Sequence, residues 1–216
     1  MRKKRSDENA EFYGTVANIK EKAETGKSIV KSMGSLKKTP FSFDSLHFVP
    51  AQVAKMPLTG EEPVNTSIAI GPKAKKPLEV STPILVSGLS FGAVSKNVRL
   101  VISRAAAKLG FGFNSGEGGV LEEELQVASK LLITQYSTDR FGITDTLLKN
   151  SAAIEIRFGQ GAYPGKGSYL PAAKMTEEVA KARGLKPRQA AYSPARHPDM
   201  ASVEDVKKKV DYLRAL

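Results

Sequence analysis

Residues 83–90 read Pro83-Ile84-Leu85-Val86-Ser87-Gly88-Leu89-Ser90, a short apolar run that stops at a glycine. A continuous run of this kind is typical of a strand buried in a parallel sheet. Ser95 then offers a helix N-cap and Gly110 a helix-ending glycine, so the spacing predicts a helix between them. We expect the apolar residues at helical spacing within it to face the core: Val98, Val101, Ile102, Ala105 and Leu109.

The alternation of strand and helix continues from there to residue 216. Further strands are predicted at 111–114, 131–135 and 153–158, and helices at 120–130, at 144–149, from Thr176 to Gly184, and after Ser202, which forms a capping box with Asp205. Short connections between about four such units predict an α/β fold with a parallel sheet and right-handed crossovers. The pattern leaves open a doubly wound sheet and a (β/α)8 barrel of the TIM type. No G-x-G-x-x-G turn follows the first strand, which argues against a Rossmann dinucleotide site. No P-loop sequence is present either, so a P-loop phosphate site is excluded.

The chain before residue 83 divides into two parts. Residues 1–40 contain ten Lys or Arg and five Asp or Glu, and they predict a basic, partly helical or flexible arm. Residues 41–82 are Pro-rich and predict an irregular lead-in that packs on the following domain, with a short strand at 64–70. We expect five apolar side chains to anchor this lead-in: Phe41, Phe43, Leu46, Phe48 and Val49.

Composition excludes several classes of protein. The chain has no cysteine, so it cannot supply a disulfide, a thiolate metal site or ligands to an iron–sulfur cluster. It has only two histidines, far apart, so no metal site is predicted; His197, in a loop between Arg196 and Asp199, is either functional or part of a surface ion cluster. No signal peptide and no membrane-spanning run is visible, and we expect a cytoplasmic protein. The net charge of +11 permits a nucleic-acid partner, but no recognition motif accompanies it.

Small polar residues and glycines follow three of the predicted strands, at 87–90, 114–119 and 157–160. In a barrel the strands end at the face that carries the chemistry, and such loops let backbone groups approach a flat or anionic ligand. Glu117, framed by glycines, could act as an acid or base, or it could be a solvated turn residue. Arg157 could bind a carboxylate or stabilise an anionic ring, or it could form a structural ion pair. Gln160 could recognise the edge of a heterocycle.

Several segments resemble, in the same order, the FMN-binding domain of the glutamate synthase large subunit, including its shorter archaeal-type members. They are Ile84-Leu85-Val86-Ser87-Gly88-Leu89-Ser90-Phe91-Gly92, Asn114-Ser115-Gly116-Glu117-Gly118-Gly119, Ile154-Glu155-Ile156-Arg157-Phe158-Gly159-Gln160-Gly161-Ala162, and Ser193-Pro194-Ala195-Arg196-His197-Pro198-Asp199. The lead-in at 43–52 continues the resemblance, which covers about residues 41–216.

The resemblance implies a (β/α)8 barrel that binds FMN and reductively transfers ammonia, released from glutamine, to 2-oxoglutarate to give L-glutamate. It implies catalytic roles for Glu117, Arg157 and Gln160. It further implies cofactor binding by a group of strand-end residues: Ser87, Gly88, Leu89, Ser90, Asn114, Ser115, Arg157 and Gln160. Partners are then an amidotransferase subunit and an electron-donor subunit, and the family's iron–sulfur cluster is not ligated by this chain.

Three positions depart from the family pattern. Arg157 stands where the family has lysine, Tyr163 replaces a loop lysine, and Pro198 replaces the second histidine of an H-H-D motif. Arginine keeps the charge but changes the size and the geometry of the donor group.

Length adds a further expectation. Residues 83–216 number 134, whereas a complete barrel needs about 250. We therefore expect the first half of a barrel, which works with a second chain or with the C-terminal half. The alternatives are a truncated, non-catalytic half-barrel that serves as a scaffold or assembly subunit and, more remotely, a basic nucleic-acid-binding protein.

Overall fold

The computed structural model describes residues 16, 17, 19–26, 41–159 and 167–216. Two compact units divide the chain; the first extends to Val64 and the second begins at Asn65. In the first unit, residues 19–25 are helical and two 3-10 turns occupy Phe43–Ser45 and Gln52–Ala54. The side chains expected to anchor the lead-in are exposed rather than buried in a core: Phe41, Phe43, Leu46, Phe48 and Val49.

A four-stranded parallel sheet forms the centre of the second unit. Its strands are β3 (Leu85–Val86), β4 (Gly112–Asn114), β5 (Leu132–Tyr136) and β6 (Ala153–Ile156), adjacent in that order. The helices α1 (Lys96–Leu109), α2 (Glu122–Ala128) and α3 (Asp145–Asn150) connect successive strands. The predicted α/β class with parallel strands is therefore confirmed, and the sheet is compatible with part of a TIM-type barrel.

Two antiparallel strand pairs flank this sheet in the sequence. Before it, β1 (Ile68–Ile70) pairs with β2 (Leu78–Val80), whose residues Leu78 and Val80 are buried. After it, β7 (Tyr169–Leu170) pairs with β8 (Ala191–Tyr192), and α4 (Glu177–Arg183) lies between them in the chain. The last helix is α5 (Val203–Ala215). Of these strands only β1 falls within a predicted segment.

The predicted helix ends are confirmed by their caps. The Ser95 side chain accepts from the Val98 backbone N–H, and Gly110 adopts the left-handed conformation with φ 72°. The Thr176 side chain accepts from the Val179 N–H. Ser202 and Asp205 form the reciprocal capping box at the start of α5. A side-chain acceptor here satisfies a backbone donor that the first helical turn leaves unpaired.

The prediction of which face of α1 is buried was wrong for three of its five residues, whereas Ile102 packs against a core cluster and Ala105 is half-buried. Three residues of the apolar stripe, Val98, Val101 and Leu109, are exposed. The buried face carries Arg99, Ser103 and Ala106 instead. Arg99 points inward and forms an ion pair with Glu124 of α2, so a charged residue lies on the buried face of the helix.

Three clusters of apolar side chains form the core. One lies between α1, β4 and β5 and includes Ala106, Phe113 and Leu132. A second joins β7, β8 and α4 around Met175, and a third joins β5, α3 and α5 around Tyr136 and Leu148. The described residues contain no helix that is both long and apolar enough to cross a membrane.

Candidate functional site

The strands β3 to β6 end at one edge of the sheet, here named the carboxyl edge. Those predicted site residues that the structure describes lie along it. A Cβ atom placed on Gly88 would lie 3.0 Å from Asn114 Oδ1 and 3.0 Å from Gln135 Nε2. A Cβ on Gly116, whose φ is 64°, would lie 2.6 Å from the Ser90 backbone nitrogen. The loops after β3 and β4 are thus in close contact, and Gly116 is required both by its φ and by the lack of space.

The Asn114 and Ser115 side chains hold these loops in place. Asn114 Oδ1 accepts from the Gly116 N–H at 2.8 Å, and Ser115 Oγ accepts from the Gln135 N–H at 3.0 Å. Both residues are buried. Of the other residues predicted to bind a cofactor, Gly88, Leu89 and Ser90 are half-buried and Ser87 is exposed.

A buried ion pair between α1 and α2 also holds these two loops in place. The Arg99 guanidinium donates to Glu124 through Nε and Nη2, each at 2.6 Å. Its Nη1 donates to the carbonyls of Leu89 (3.2 Å) and Ser115 (2.9 Å), one in each loop. A two-point pair of this kind fixes orientation as well as distance.

Arg157 lies at the end of β6 and is held without an ion pair. Its Nη1 donates to Gln135 Oε1 at 3.1 Å and its Nε to the Gly159 carbonyl at 2.9 Å. Gln135 Nε2 donates in turn to Glu155 Oε1 at 2.7 Å. No carboxylate of the described residues lies within 4.0 Å of the Arg157 guanidinium, so its charge is free to meet an anionic ligand.

His197 supports Arg157 from the loop before α5. It is 3% exposed, and it contacts Arg140, which forms an ion pair with the more exposed Asp199. Its Nε2 donates to the Arg157 carbonyl at 2.6 Å, and its Nδ1 accepts from Arg140 Nη1 at 2.6 Å, because arginine can only donate. Burial, with the nearby charge of Arg140, lowers the pKa of His197, which favours this neutral form.

Glu117 is buried, so it is not a solvated turn residue. It is 4% exposed, and the Ser168 hydroxyl donates to its Oε1. The Ser193 hydroxyl lies 2.7 Å from the Ser168 hydroxyl, and Ser193 Oγ accepts from the Ser168 N–H at 2.6 Å. Burial opposes ionisation, but hydrogen bonds with Asp139, Ser168 and Ser193 and the charge of Arg183 outweigh it and lower the pKa of Glu117.

Asp139, from the loop after β5, is the second carboxyl group beside Glu117. Burial, the hydrogen bond with Glu117 and the charge of Glu117 raise the pKa of Asp139 to about 7. Its Oδ1 accepts from the Phe141 N–H at 2.8 Å and from the Ser137 hydroxyl at 3.1 Å. Two carboxyl groups with opposite shifts are typical of a site that moves protons.

Glu117 and Arg157 line one narrow cleft, whose cavity volume is about 10 Å³. Ser168 and Ser193 also line it. Two of the three residues predicted to be catalytic are thus brought together, while Gln160 and Tyr163 lie outside the described residues. The described part of the chain holds no group of His, Asp and Glu suited to a metal ion.

Sequence reasoning missed Gln135, Asp139, Ser168 and Ser193. Gln135 could have been found, because it ends the third predicted strand and every other strand end was considered. The two serines carry no local signal, since β7 and β8 bring them together from positions 25 residues apart.

The sequence model of a family described as a conserved region in glutamate synthase matches residues 15–216. A glutamate synthase large subunit-like protein of Rhizobium meliloti is 36% identical over 204 residues, which are 94% of this chain and 46% of that relative. Archaeal-type glutamate synthase (NADPH) of Thermotoga maritima is 32% identical over 89% of this chain and 42% of the relative. Archaeal glutamate synthase (NADPH) of Methanocaldococcus jannaschii is 32% identical over 91% of this chain and 44% of its own length. The chain thus spans less than half the length of these relatives, and it matches their N-terminal part.

Proposed function

This chain belongs to the glutamate synthase family, and on that premise we propose that it is the N-terminal half of an FMN-binding (β/α)8 barrel that makes L-glutamate. Ammonia or the glutamine amide nitrogen would be transferred reductively to 2-oxoglutarate. In this proposal residues 83–216 are the barrel half, 41–82 the lead-in and 1–40 a basic arm.

One observation carries the proposal: an acid–base group and an unpaired cation face the same cleft. Glu117 is buried and oriented by Ser168, and Arg157 is fixed by Gln135 with no carboxylate partner among the residues that the structure describes. A dicarboxylate substrate needs a cation for recognition, and conversion of an imine to an amine needs a proton donor near the nitrogen. In our proposal Arg157 binds a substrate carboxylate and Glu117 faces the reacting end.

The strand order supports a barrel half. In a (β/α)8 barrel successive strands are neighbours, and β3 to β6 follow one another in chain order. Ile84 and Leu85, beside and within the edge strand β3, are 61% and 45% exposed. Four further strands would close the sheet between β6 and β3 and cover these side chains.

The residues at the carboxyl edge fit a flavin ring. They offer backbone groups in two tightly packed loops and the cation of Arg157, which Gln135 holds in place, and this suits a flavin ring. The ring would be held by Ser87, Gly88, Leu89, Ser90, Asn114, Ser115, Arg157 and Gln160. A bound flavin would supply the hydride for reduction of the imine carbon. Its phosphate would be held by loops of the other barrel half, where barrels commonly bind phosphate.

Partners follow from the same proposal. A chain carrying the second barrel half would complete the site, an amidotransferase subunit would release ammonia, and a further subunit would deliver electrons. The Thermotoga and Methanocaldococcus relatives are named as NADPH glutamate synthases, and we extend that donor to the assembled protein.

The test is to purify the chain alone and together with the C-terminal remainder of the Rhizobium meliloti relative as a separate polypeptide. We expect stoichiometric flavin absorbance only in the assembled protein. We also expect glutamate from 2-oxoglutarate and ammonia when the flavin is reduced. A stable monomer that never takes up flavin would instead support a non-catalytic scaffold.

Arg157→Gln gives the residue-level test. We expect a raised KM for 2-oxoglutarate, because the variant lacks the charge that meets the carboxylate. Arg196→Gln, the same exchange at an exposed position, is the matched control and should behave as the unaltered chain. Equal KM values for the two variants would refute the role of Arg157.

A further inference from the structure

Two carboxyl groups from neighbouring loops, Glu117 and Asp139, lie beside the cleft. If both are ionised, one buried carboxylate oxygen has no hydrogen-bond donor among the described residues. Glu117 Oε1 accepts from Ser168, and Asp139 Oδ1 accepts from Phe141 and Ser137. Asp139 Oδ2 is buried and has no donor among the described residues. A carboxylate can only accept, so two ionised groups could not bond to each other. A proton on Asp139 Oδ2 provides the missing donor.

The charges around the pair also balance with one proton. The buried Arg183 guanidinium interacts with both carboxyl groups, donates from Nη2 to the Phe91 carbonyl at 2.9 Å and packs against Gly118. One cation opposes two carboxyl groups, so the group is neutral when the pair holds a single proton. Like charges side by side in a buried site are otherwise costly.

Other charged groups nearby are already engaged. Arg99 pairs with Glu124, and Arg140 pairs with Asp199 and hydrogen-bonds His197. Arg157 shares the cleft with Glu117 but donates to Gln135 and Gly159. Among the described residues, Arg183 is the cation whose charge acts on both carboxyl groups.

We propose that Glu117 and Asp139 share one proton at neutral pH and form the proton donor for the substrate in the cleft. Glu117, which lines the cleft, makes the transfer, and Asp139 is a positioning residue that acts through it. The pKa of Glu117 is lowered and that of Asp139 is raised, as expected when two groups share a proton.

The chemical role rests on the proposed function. When an imine becomes an amine, its carbon gains a hydride and its nitrogen gains a proton. The carboxyl pair supplies only the proton, and the hydride comes from the reduced flavin of the proposed enzyme. Both carboxyl groups are then ionised, with Arg183 beside them, until a proton returns from solvent through the cleft.

The first test needs no activity. Carbon-13 NMR of the full chain, labelled at Asp and Glu carboxyl carbons, should show one carboxyl group that titrates near pH 7. That titration should disappear in Asp139→Asn and in Glu117→Gln, and it should persist in Asp211→Asn, an exposed control. If every carboxyl group of the folded chain finishes titrating below about pH 5, the shared proton is refuted.

A second variant keeps the test decisive if Asp139→Asn does not fold. Ser168→Ala removes the hydroxyl that stabilises ionised Glu117 and leaves both carboxyl groups in place. The pair should then hold its proton more tightly, and the titration near pH 7 should move to higher pH. An unchanged titration in folded Ser168→Ala would contradict the arrangement.

Activity of the assembled protein separates this inference from the proposed function. Asp139→Asn should lower kcat at least about tenfold with little change in KM, and it should alter the pH profile near neutrality. A normal kcat and pH profile in Asp139→Asn would overturn the role of the pair in an active enzyme. If the NMR titration is present but no glutamate is formed, the proposed function fails while the shared proton stands.

Discussion

Burial beside a second carboxyl group changes the pH range over which Asp139 binds its proton. Its pKa rises from the usual 3.8 to about 7 on folding, so between these values the folded chain holds a proton that the unfolded chain lacks. The stability that this extra proton contributes is fully present below pH 3.8, and it is lost as the pH rises through about 7. The slope is about 1.4 kcal/mol of unfolding free energy per pH unit.

We therefore expect Asp139→Asn to remove that dependence. The measurement is the urea unfolding free energy of chain and variant from about pH 5 to about pH 8, taken as a difference. The difference is needed because His197, with its lowered pKa, contributes the opposite sign just below its usual 6.5. Parallel curves for the two proteins would show that Asp139 binds no extra proton.

His197 hydrogen-bonds both the Arg140 side chain and the Arg157 carbonyl, so removing its ring should lower the stability of the fold. His197→Ala leaves a donor of Arg140 and the carbonyl of Arg157 without their partner. We expect a loss of about 2 kcal/mol in denaturant unfolding. His47→Ala is the control, since His47 is the other histidine and is exposed, and it should leave the unfolding midpoint unchanged. Similar losses for both would argue against the bridging role.

Single residues differ in how well the sequence predicts them. Glu117 and Arg157 were found because each follows a strand, and the cleft does contain both. The burial of Glu117 was not foreseeable, because its support comes from Ser168 and Ser193, far along the chain. Asp139 was missed for a related reason: its unusual protonation exists only beside Glu117.

At the scale of elements, α1 and α2 are joined by two ion pairs of opposite character. Arg99 and Glu124 are buried and bonded at two points, while Lys96 and Glu123 lie 2.6 Å apart at the surface. Removing one partner of a buried pair leaves a charge without compensation, whereas a surface pair contributes little. The same two helices therefore provide both the test and its control.

We expect Arg99→Met to destabilise the chain by about 3–5 kcal/mol, and Lys96→Met to change the unfolding midpoint very little. Arg99→Met combined with Glu124→Leu should recover much of the loss, since no buried charge remains unpaired. Denaturant unfolding of the three variants is the measurement. If the double variant is no more stable than Arg99→Met alone, loss of packing rather than an unpaired charge is the cause.

Capping residues in the sequence predicted the ends of α1, but apolar periodicity did not predict which face of the helix is buried. Caps are local, so Ser95 and Gly110 are readable from neighbouring residues. The buried face depends on Glu124 of another helix, and an inward arginine is invisible to an argument based on apolar spacing. The strands β7 and β8 were also missed, because they lack a continuous apolar run like the one from which β3 was predicted.

At the scale of the molecule, the sheet has two edge strands, β3 and β6. An edge strand presents unpaired backbone groups, and here Ile84 and Leu85 add exposed apolar surface. The sequence predicted the parallel class and about four repeating units, since both follow from the alternation of elements. It left a barrel and a doubly wound sheet open, because the pairing of the edge strands is not encoded in local pattern.

We expect the chain alone to associate through the β3 edge. Ile84→Lys should lower the average mass measured by light scattering at increasing protein concentration, because the charge opposes pairing with another strand. Val203→Lys is the control, because Val203 is a comparably exposed valine on a helix. An equal decrease in both variants would assign association to general surface hydrophobicity.

The support of Glu117 by Ser168 and Ser193 has a consequence for protein synthesis. A ribosome delivers the chain from its N-terminus, so β3 to β6, with Glu117 and Asp139, emerge first. Arg183 and the two serines emerge only afterwards, followed by His197. The sheet can therefore assemble on the nascent chain before its charges are balanced, and the hydrogen bonds around Glu117 form only after the later segments have emerged.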